Sequence, residues 1–301
     1  MRRVPILDTN VFLDAANGKI SVSDWKILRR SLPKSGCPLS AITLGELLLG
    51  LARCTPEMFS QAQESLLLAR SVSKGRVLAQ PESFAWENVF HMPRPNPGID
   101  ARKLHEWLEL ACRAKTRAAL IETKLRDKRA LRRGGRYVGL DLFGIERDIV
   151  AAQTGYIRAA RRTLQWLASH ESDDRTAPRA RSAQRLVEKL KYTYDQENWK
   201  RRTAESFLEG SGLEPTDERL DALATRLDAA FTLGTTLARQ TFLGTYRFDK
   251  NPSDWFDYLQ LHYLAKRDYC FVTRDKRLIH RIAECAQSQS VFTFDSFIGS
   301  L

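Results

Sequence analysis

The sequence predicts an α/β protein in which a parallel sheet flanked by helices is interrupted by an all-α insertion. Three observations carry that expectation. Over residues 1 to 92, short apolar runs alternate with amphipathic segments. From about 99 to 248 nothing reads as a strand. Strand-like runs then return in YCFVT (269 to 273) and VFTF (291 to 294). Neither flank alone holds enough strands for a stable sheet. The expected organisation is one domain assembled from residues 1–92 and 251–301, with residues 93–250 as a helical insertion domain.

In chain order, VPIL (4 to 7) is the first strand and ends in Asp8; Thr9 and Asn10 lead into helical spacing at Val11, Phe12 and Ala15. Asp, Thr and Asn at such a turn suit helix capping. A helix is expected at about 21 to 32, then the apolar run CPLS, then the helix AITLGELLLGLA, where the spacing of Thr43 and Glu46 fits a capping box. Another helix follows Pro56, and RVLAQ (76 to 80) precedes the helical stretch ESFAWENVF. PRPNPG (93 to 98) breaks this rhythm. Beyond it, Leu104, Trp107, Leu108, Ala111, Ala118, Ile121 and Leu125 mark one long amphipathic helix, stopped by Gly134 and Gly135. Further helices are expected at about 140 to 168, 184 to 208 and 216 to 245, with a polar loop at 170 to 183. PSDWFDYLQLHYLAKR reads as a helix leading into YCFVT, with Asp254 as its N-cap, and a last helix is expected at about 276 to 286.

Composition narrows the class. With 301 residues, 43% of them hydrophobic, the chain can bury a substantial core. No run approaches the roughly eighteen apolar residues of a membrane span, and the N-terminus lacks the apolar region of a signal peptide, so a cytoplasmic location is expected. Five scattered cysteines without a CxxC pair suggest neither a disulfide framework nor a zinc-thiolate site. The net charge of +12 favours a polyanionic partner. The sequence has no Walker A loop, GxGxxG or GxSxG, and its five histidines are scattered.

What remains is acidic. In an open parallel sheet, ligands bind at the carboxyl ends of the strands. Asp8 closes the first strand and Asp275 follows YCFVT in FVTRDKRL. Glu46 lies near the start of the helix after CPLS, and Asp257 lies early in the helix before YCFVT; both helices begin at that same sheet edge. Each acid alone has a structural explanation as a cap or a helix-start carboxylate. Four together would repel unless protonated or neutralised by a cation. Hard oxygen ligands suit Mg²⁺ or Mn²⁺. A basic protein carrying such a site fits metal-assisted phosphodiester hydrolysis.

ILDTNVFLDA, SAITLGELLLGL, the Asp257 helix and FVTRDKRL resemble, in order and spacing, the four acidic motifs of PIN-domain ribonucleases, and the flanking pattern is most similar to the VapC toxin-like branch. The resemblance covers residues 1 to about 92 and about 251 to 301, not the insertion. It implies a PIN-like parallel sheet. It also implies that Asp8, Glu46, Asp257 and Asp275 are the catalytic, metal-binding quartet, with Asn10 and Thr273 as hydrogen-bonding supports. An antitoxin-like protein partner would follow from the toxin branch, although toxin members are usually compact single domains.

Between 96 and 250 there are 30 Lys and Arg against 22 Asp and Glu, so most of the excess charge lies in the insertion. Lys124, Arg126, Lys128, Arg129, Arg132, Arg133 and Arg136 are the expected nucleic-acid-binding residues, able to track a phosphate backbone. Trp166, Tyr192, Tyr194 and Trp199 either stack bases or form the insertion's own core. The insertion is then either a clamp presenting nucleic acid to the acids or an arm for homo-oligomer formation. The expected function is a divalent-metal-dependent endonuclease, acting on RNA ahead of DNA; the alternative is a catalytically silent nucleic-acid-binding or regulatory module.

Overall fold

Alternation along two strands decides which side chains build which core. The computed structural model describes residues 3–94, 101–122, 196–209, 213–242, 251 and 253–301. Strands β1 (Val4–Leu7), β2 (Tyr269–Thr273) and β3 (Val291–Thr293) form a parallel sheet in the order β1-β2-β3. The register pairs Val4 with Tyr269 and Leu7 with Val272, then Phe271 with Val291. Successive strand residues point to opposite faces. Leu7, Cys270 and Val272 therefore join one core, and Ile6, Tyr269 and Phe271 the other. A parallel sheet buried on both faces reads as continuous apolar runs, as VPIL and YCFVT do.

The first core is covered by α1 (Thr9–Ala16), α2 (Val22–Ser31), α3 (Ala41–Arg53), α4 (Phe59–Ser73) and α6 (Ala101–Arg113), the last supplying Leu104, Trp107, Leu108 and Ala111. The second is covered by α5 (Pro81–Phe90), α8 (Gln196–Glu209), α9 (Asp217–Arg226) and α10 (Asp228–Phe242), with α11 (Ser253–Gln260) and the 3₁₀ turn Leu261–Ala265 beside them. Helices drawn from residues 93–250 thus contribute to both cores. A buried ion pair, Lys200 Nζ to Asp228 Oδ1 at 2.6 Å, ties α8 to α10, and Asp228 Oδ2 accepts from Ala286 N at 2.7 Å.

Several expected elements differ, each for a physical reason. CPLS and RVLAQ form no strand but a single parallel bridge between Leu39 and Val77. Pro38 removes a ladder donor, and Ser40 at once caps α3. The long helix at 104 to 125 breaks after Arg113 and resumes as α7 (Arg117–Glu122). At the break, Gln63 Nε2 reaches from α4 to the carbonyls of Ala111 (2.9 Å) and Ala114 (2.8 Å), and Thr116 Oγ1 accepts from Ala119 N. The helix expected from 216 to 245 is split at Leu227 into α9 and α10. There the Gln287 carboxamide accepts from Ala229 N (2.9 Å) and donates to Arg226 O (2.8 Å), replacing ladder bonds the split removes. The last expected helix is shorter, α12 (Lys276–Arg281), and a short helix α13 (Phe294–Gly299) follows β3.

The helix expected at 140 to 168, the loop at 170 to 183, the first part of the helix from 184, Gly134 and Gly135, and the basic residues 124 to 136 lie outside the described residues. So do Trp166, Tyr192 and Tyr194. Among the described residues no helix is long and apolar enough to cross a membrane. All five cysteines are free.

Candidate functional site

Because β1 and β2 are parallel and Leu7 pairs with Val272, Asp8, the residue after β1, lies beside Thr273, the last residue of β2. Asp8 N donates to Val272 O at 2.9 Å, which carries the ladder one residue past β1. Asp8 is also the N-cap of α1: Oδ1 accepts from Thr9 N at 2.7 Å. The capping expectation and the edge placement are both met by one carboxylate.

The Thr273 hydroxyl is the hub of this edge. It donates to Asp8 Oδ2 at 2.6 Å and accepts from Asp275 N at 3.0 Å, with Asn10 Nδ2 at 3.4 Å. Asn10 Oδ1 accepts from Arg274 N at 3.1 Å. Asn10 and Thr273 therefore tie the turn after β1 to the end of β2. Asp275 caps α12, accepting from Arg277 N (2.7 Å) and Leu278 N (3.3 Å).

Glu46 departs from the capping-box expectation. Ser40, not Thr43, is the N-cap of α3, and its hydroxyl accepts from Thr43 N at 2.9 Å. Glu46 sits deeper in the helix, and its Oε2 instead takes the Thr9 hydroxyl. Freed from the helix start, Glu46 faces the Asp8 turn. Asp254 is likewise not the N-cap of α11 but lies in its first turn, where Oδ2 meets Arg281 NH1 at 2.8 Å.

Asp257 completes the set. It is buried, and among the described residues no hydrogen bond reaches its carboxylate. Burial first, then the charges of Asp8, Asp275, Glu46 and Asp254 in that order, push its pKa up to about 9. Burial and then Asp8 push Glu46 up to about 8. Asp8 is also raised, because burial outweighs the hydrogen bonds from Thr273, Gln260 and Thr9 that favour its charged form. The structure thus brings the four sequence-predicted acids to one edge, where the charges of Asp8, Glu46 and Asp275 all act on Asp257, and places Asn10 and Thr273 beside Asp8 and Asp275.

Sequence reasoning missed three groups. Gln260, one turn after Asp257, donates from Nε2 to Asp8 Oδ1 at 3.1 Å. Thr9 uses its hydroxyl for Glu46 rather than for capping. Arginines flank the edge: Arg274 pairs with Asp14 (3.0 Å), Arg277 with Asp275 (3.5 Å) and Arg281 with Asp254. The three-residue step from Asp257 to Gln260 was the signal for Gln260, since it puts both on one helix face; the other contacts are long-range.

Among the described residues, no three His, Cys, Asp or Glu side chains are gathered tightly enough to ligate one ion directly. The donors that the four acids offer are all oxygen, the atom type that a hard cation takes. Mg²⁺ retains several waters and is commonly held by one or two carboxylates, so such a set fits a largely hydrated ion. In comparisons with known proteins, no family model, no curated protein and no solved structure matches the chain.

Proposed function

We propose that this chain is a divalent-metal-dependent nuclease of PIN-like architecture that hydrolyses phosphodiester bonds, with RNA its substrate ahead of DNA. The observation that carries the reading is the convergence of Asp8, Glu46, Asp257 and Asp275 on the carboxyl edge of one parallel sheet. Carboxylates raised by burial and mutual repulsion form a site short of positive charge. The ordered resemblance of the four acidic segments to PIN-domain ribonucleases supports the same reading.

Asp8, Glu46, Asp257 and Asp275 would hold Mg²⁺ or Mn²⁺ in part through the waters the ion retains, and the ion would supply the charge that lets them ionise and that polarises a phosphodiester. The chain's own residues do the rest. Thr273 and Gln260 fix both oxygens of Asp8, and Thr9 fixes Glu46. With the cation bound, one of these carboxylates would take the proton of an attacking water. The water oxygen then bonds to phosphorus as an ester oxygen departs. The net charge of +12 draws the polyanion to the edge.

The test is cleavage of labelled single-stranded RNA and DNA with Mn²⁺ by wild type beside Asp8→Asn and Asp275→Asn. The proposal requires Mn²⁺-dependent cutting by wild type and its loss in both variants.

A further inference from the structure

Gln260 is almost wholly buried, 1% exposed, at the last position of α11. A buried carboxamide must find partners for both ends or pay a desolvation penalty. Its Nε2 donates to Asp8 Oδ1 at 3.1 Å, and its Oε1 receives the Thr43 hydroxyl at 3.2 Å. The amide cannot turn over at little cost. Asp8 Oδ1 already accepts from Thr9 N at 2.7 Å, so the flipped orientation would set Oε1 against an oxygen that is itself acting as an acceptor.

Thr43 is itself anchored. Ser40 Oγ donates to it at 2.9 Å, and its own hydroxyl proton is shared between Gln260 Oε1 and Leu7 O, both at 3.2 Å. A buried chain of hydrogen bonds therefore runs from the start of α3 through Thr43 and Gln260 to Asp8 and Thr273, and continues, half-buried, to Asn10 and Asp275. It is the one described side-chain route from α11, the helix that carries Asp257, to the Asp8 carboxylate.

We propose that Gln260 is a positioning residue of the acidic edge, whose carboxamide fixes Asp8 in register with Asp257 on the same helix. This rests on the nuclease reading. Thr273 holds Asp8 to the sheet, and Gln260 holds it to α11, so the separation of the two acids is set by a side chain rather than by backbone alone. Partners of this kind, acting through a ligand, typically change metal affinity or activity about 10- to 100-fold when removed.

The experiment measures Mn²⁺ binding by the electron paramagnetic resonance of free Mn²⁺, with thermal melting and RNA-cleavage kinetics alongside. Gln260→Met keeps the chain length of the side chain and removes both polar ends. The expected result is a cooperative melt, Mn²⁺ affinity and kcat each down by about 10-fold or more, and KM for RNA within about twofold of wild type. In an Asp8→Asn background the same substitution should cost less than about twofold in Mn²⁺ affinity, because its route of action is gone. Should Gln260→Met melt early, Gln260→Asn, whose shorter side chain keeps an amide but draws it back from Asp8, gives the same loss. Mn²⁺ affinity and kcat within twofold of wild type, or a loss that is undiminished in the Asp8→Asn background, would overturn the proposal. A wild-type chain that binds no Mn²⁺ overturns the nuclease reading and this proposal with it, and that result needs no Gln260 variant.

Discussion

Asp257→Asn should stabilise the metal-free protein, and the gain should grow with pH. In an unfolded chain an aspartate ionises near 3.8, whereas burial and four neighbouring acids hold Asp257 at about 9 in the fold. Between those values the native state keeps a proton that the unfolded state has lost. Stability therefore falls as pH rises from about 4 to about 9, because the native state binds more protons. Asparagine has the same shape and no such proton. One pKa unit corresponds to about 1.4 kcal/mol, so even a third of the displacement gives roughly 2 kcal/mol at pH 9. For a chain of 301 residues, at about 2.1 cal/mol/K of unfolding entropy per residue, that raises Tm by about 3 °C. The assay is thermal melting of wild type and variant in chelator at pH 4, 6, 8 and 9. The two should coincide at pH 4 and separate steadily above it, and Mn²⁺ at pH 8 should raise the melting temperature of wild type far more than that of the variant. A variant that is less stable at pH 8, or offset by the same amount at every pH, would refute the account of the acidic edge.

Thr273→Val should cost about 2–3 kcal/mol and reduce cleavage at least tenfold, since it strips a donor from buried Asp8 and an acceptor from Asp275 N; denaturant unfolding and single-turnover kinetics read both. Lys200→Met should destabilise by about 3 kcal/mol, measured by denaturant midpoint, because it leaves Asp228 buried without its ion pair. The same variant should leave the Mn²⁺ affinity of the folded protein within about twofold, since Lys200 lies outside the acidic edge.

The three strands that form, and the places of the acids at their ends, were legible in the sequence because both are local signals, whereas CPLS and RVLAQ, read the same way, yield only a bridge. VPIL and YCFVT are apolar runs closed by polar turns, and Asp8 and Asp275 stand at their ends. The helix breaks were not legible. The amphipathic pattern runs unbroken through 114 to 116 and through Leu227, and the breaks are stabilised by Gln63 and Gln287, glutamines distant in sequence that replace lost ladder bonds. Glu46 shows the same limit. Its spacing from Thr43 fits a cap, yet Ser40 takes that role and Thr9, from another helix, claims the carboxylate. Gln260 lay within reach of sequence reasoning, one turn from Asp257, but nothing local says that its amide turns toward Asp8.

The central claim is that the acids at this sheet edge hydrolyse a phosphodiester with a divalent cation. The most direct measurement is cleavage of a labelled single-stranded RNA by purified wild type in Mn²⁺, in chelator, and beside Asp8→Asn and Asp275→Asn. The account predicts cutting by wild type in Mn²⁺ alone, lowered by at least 100-fold, an order-of-magnitude expectation for loss of a catalytic group, in chelator and in either variant. Cleavage that survives in both variants, or a wild type that cuts neither RNA nor DNA, would contradict it.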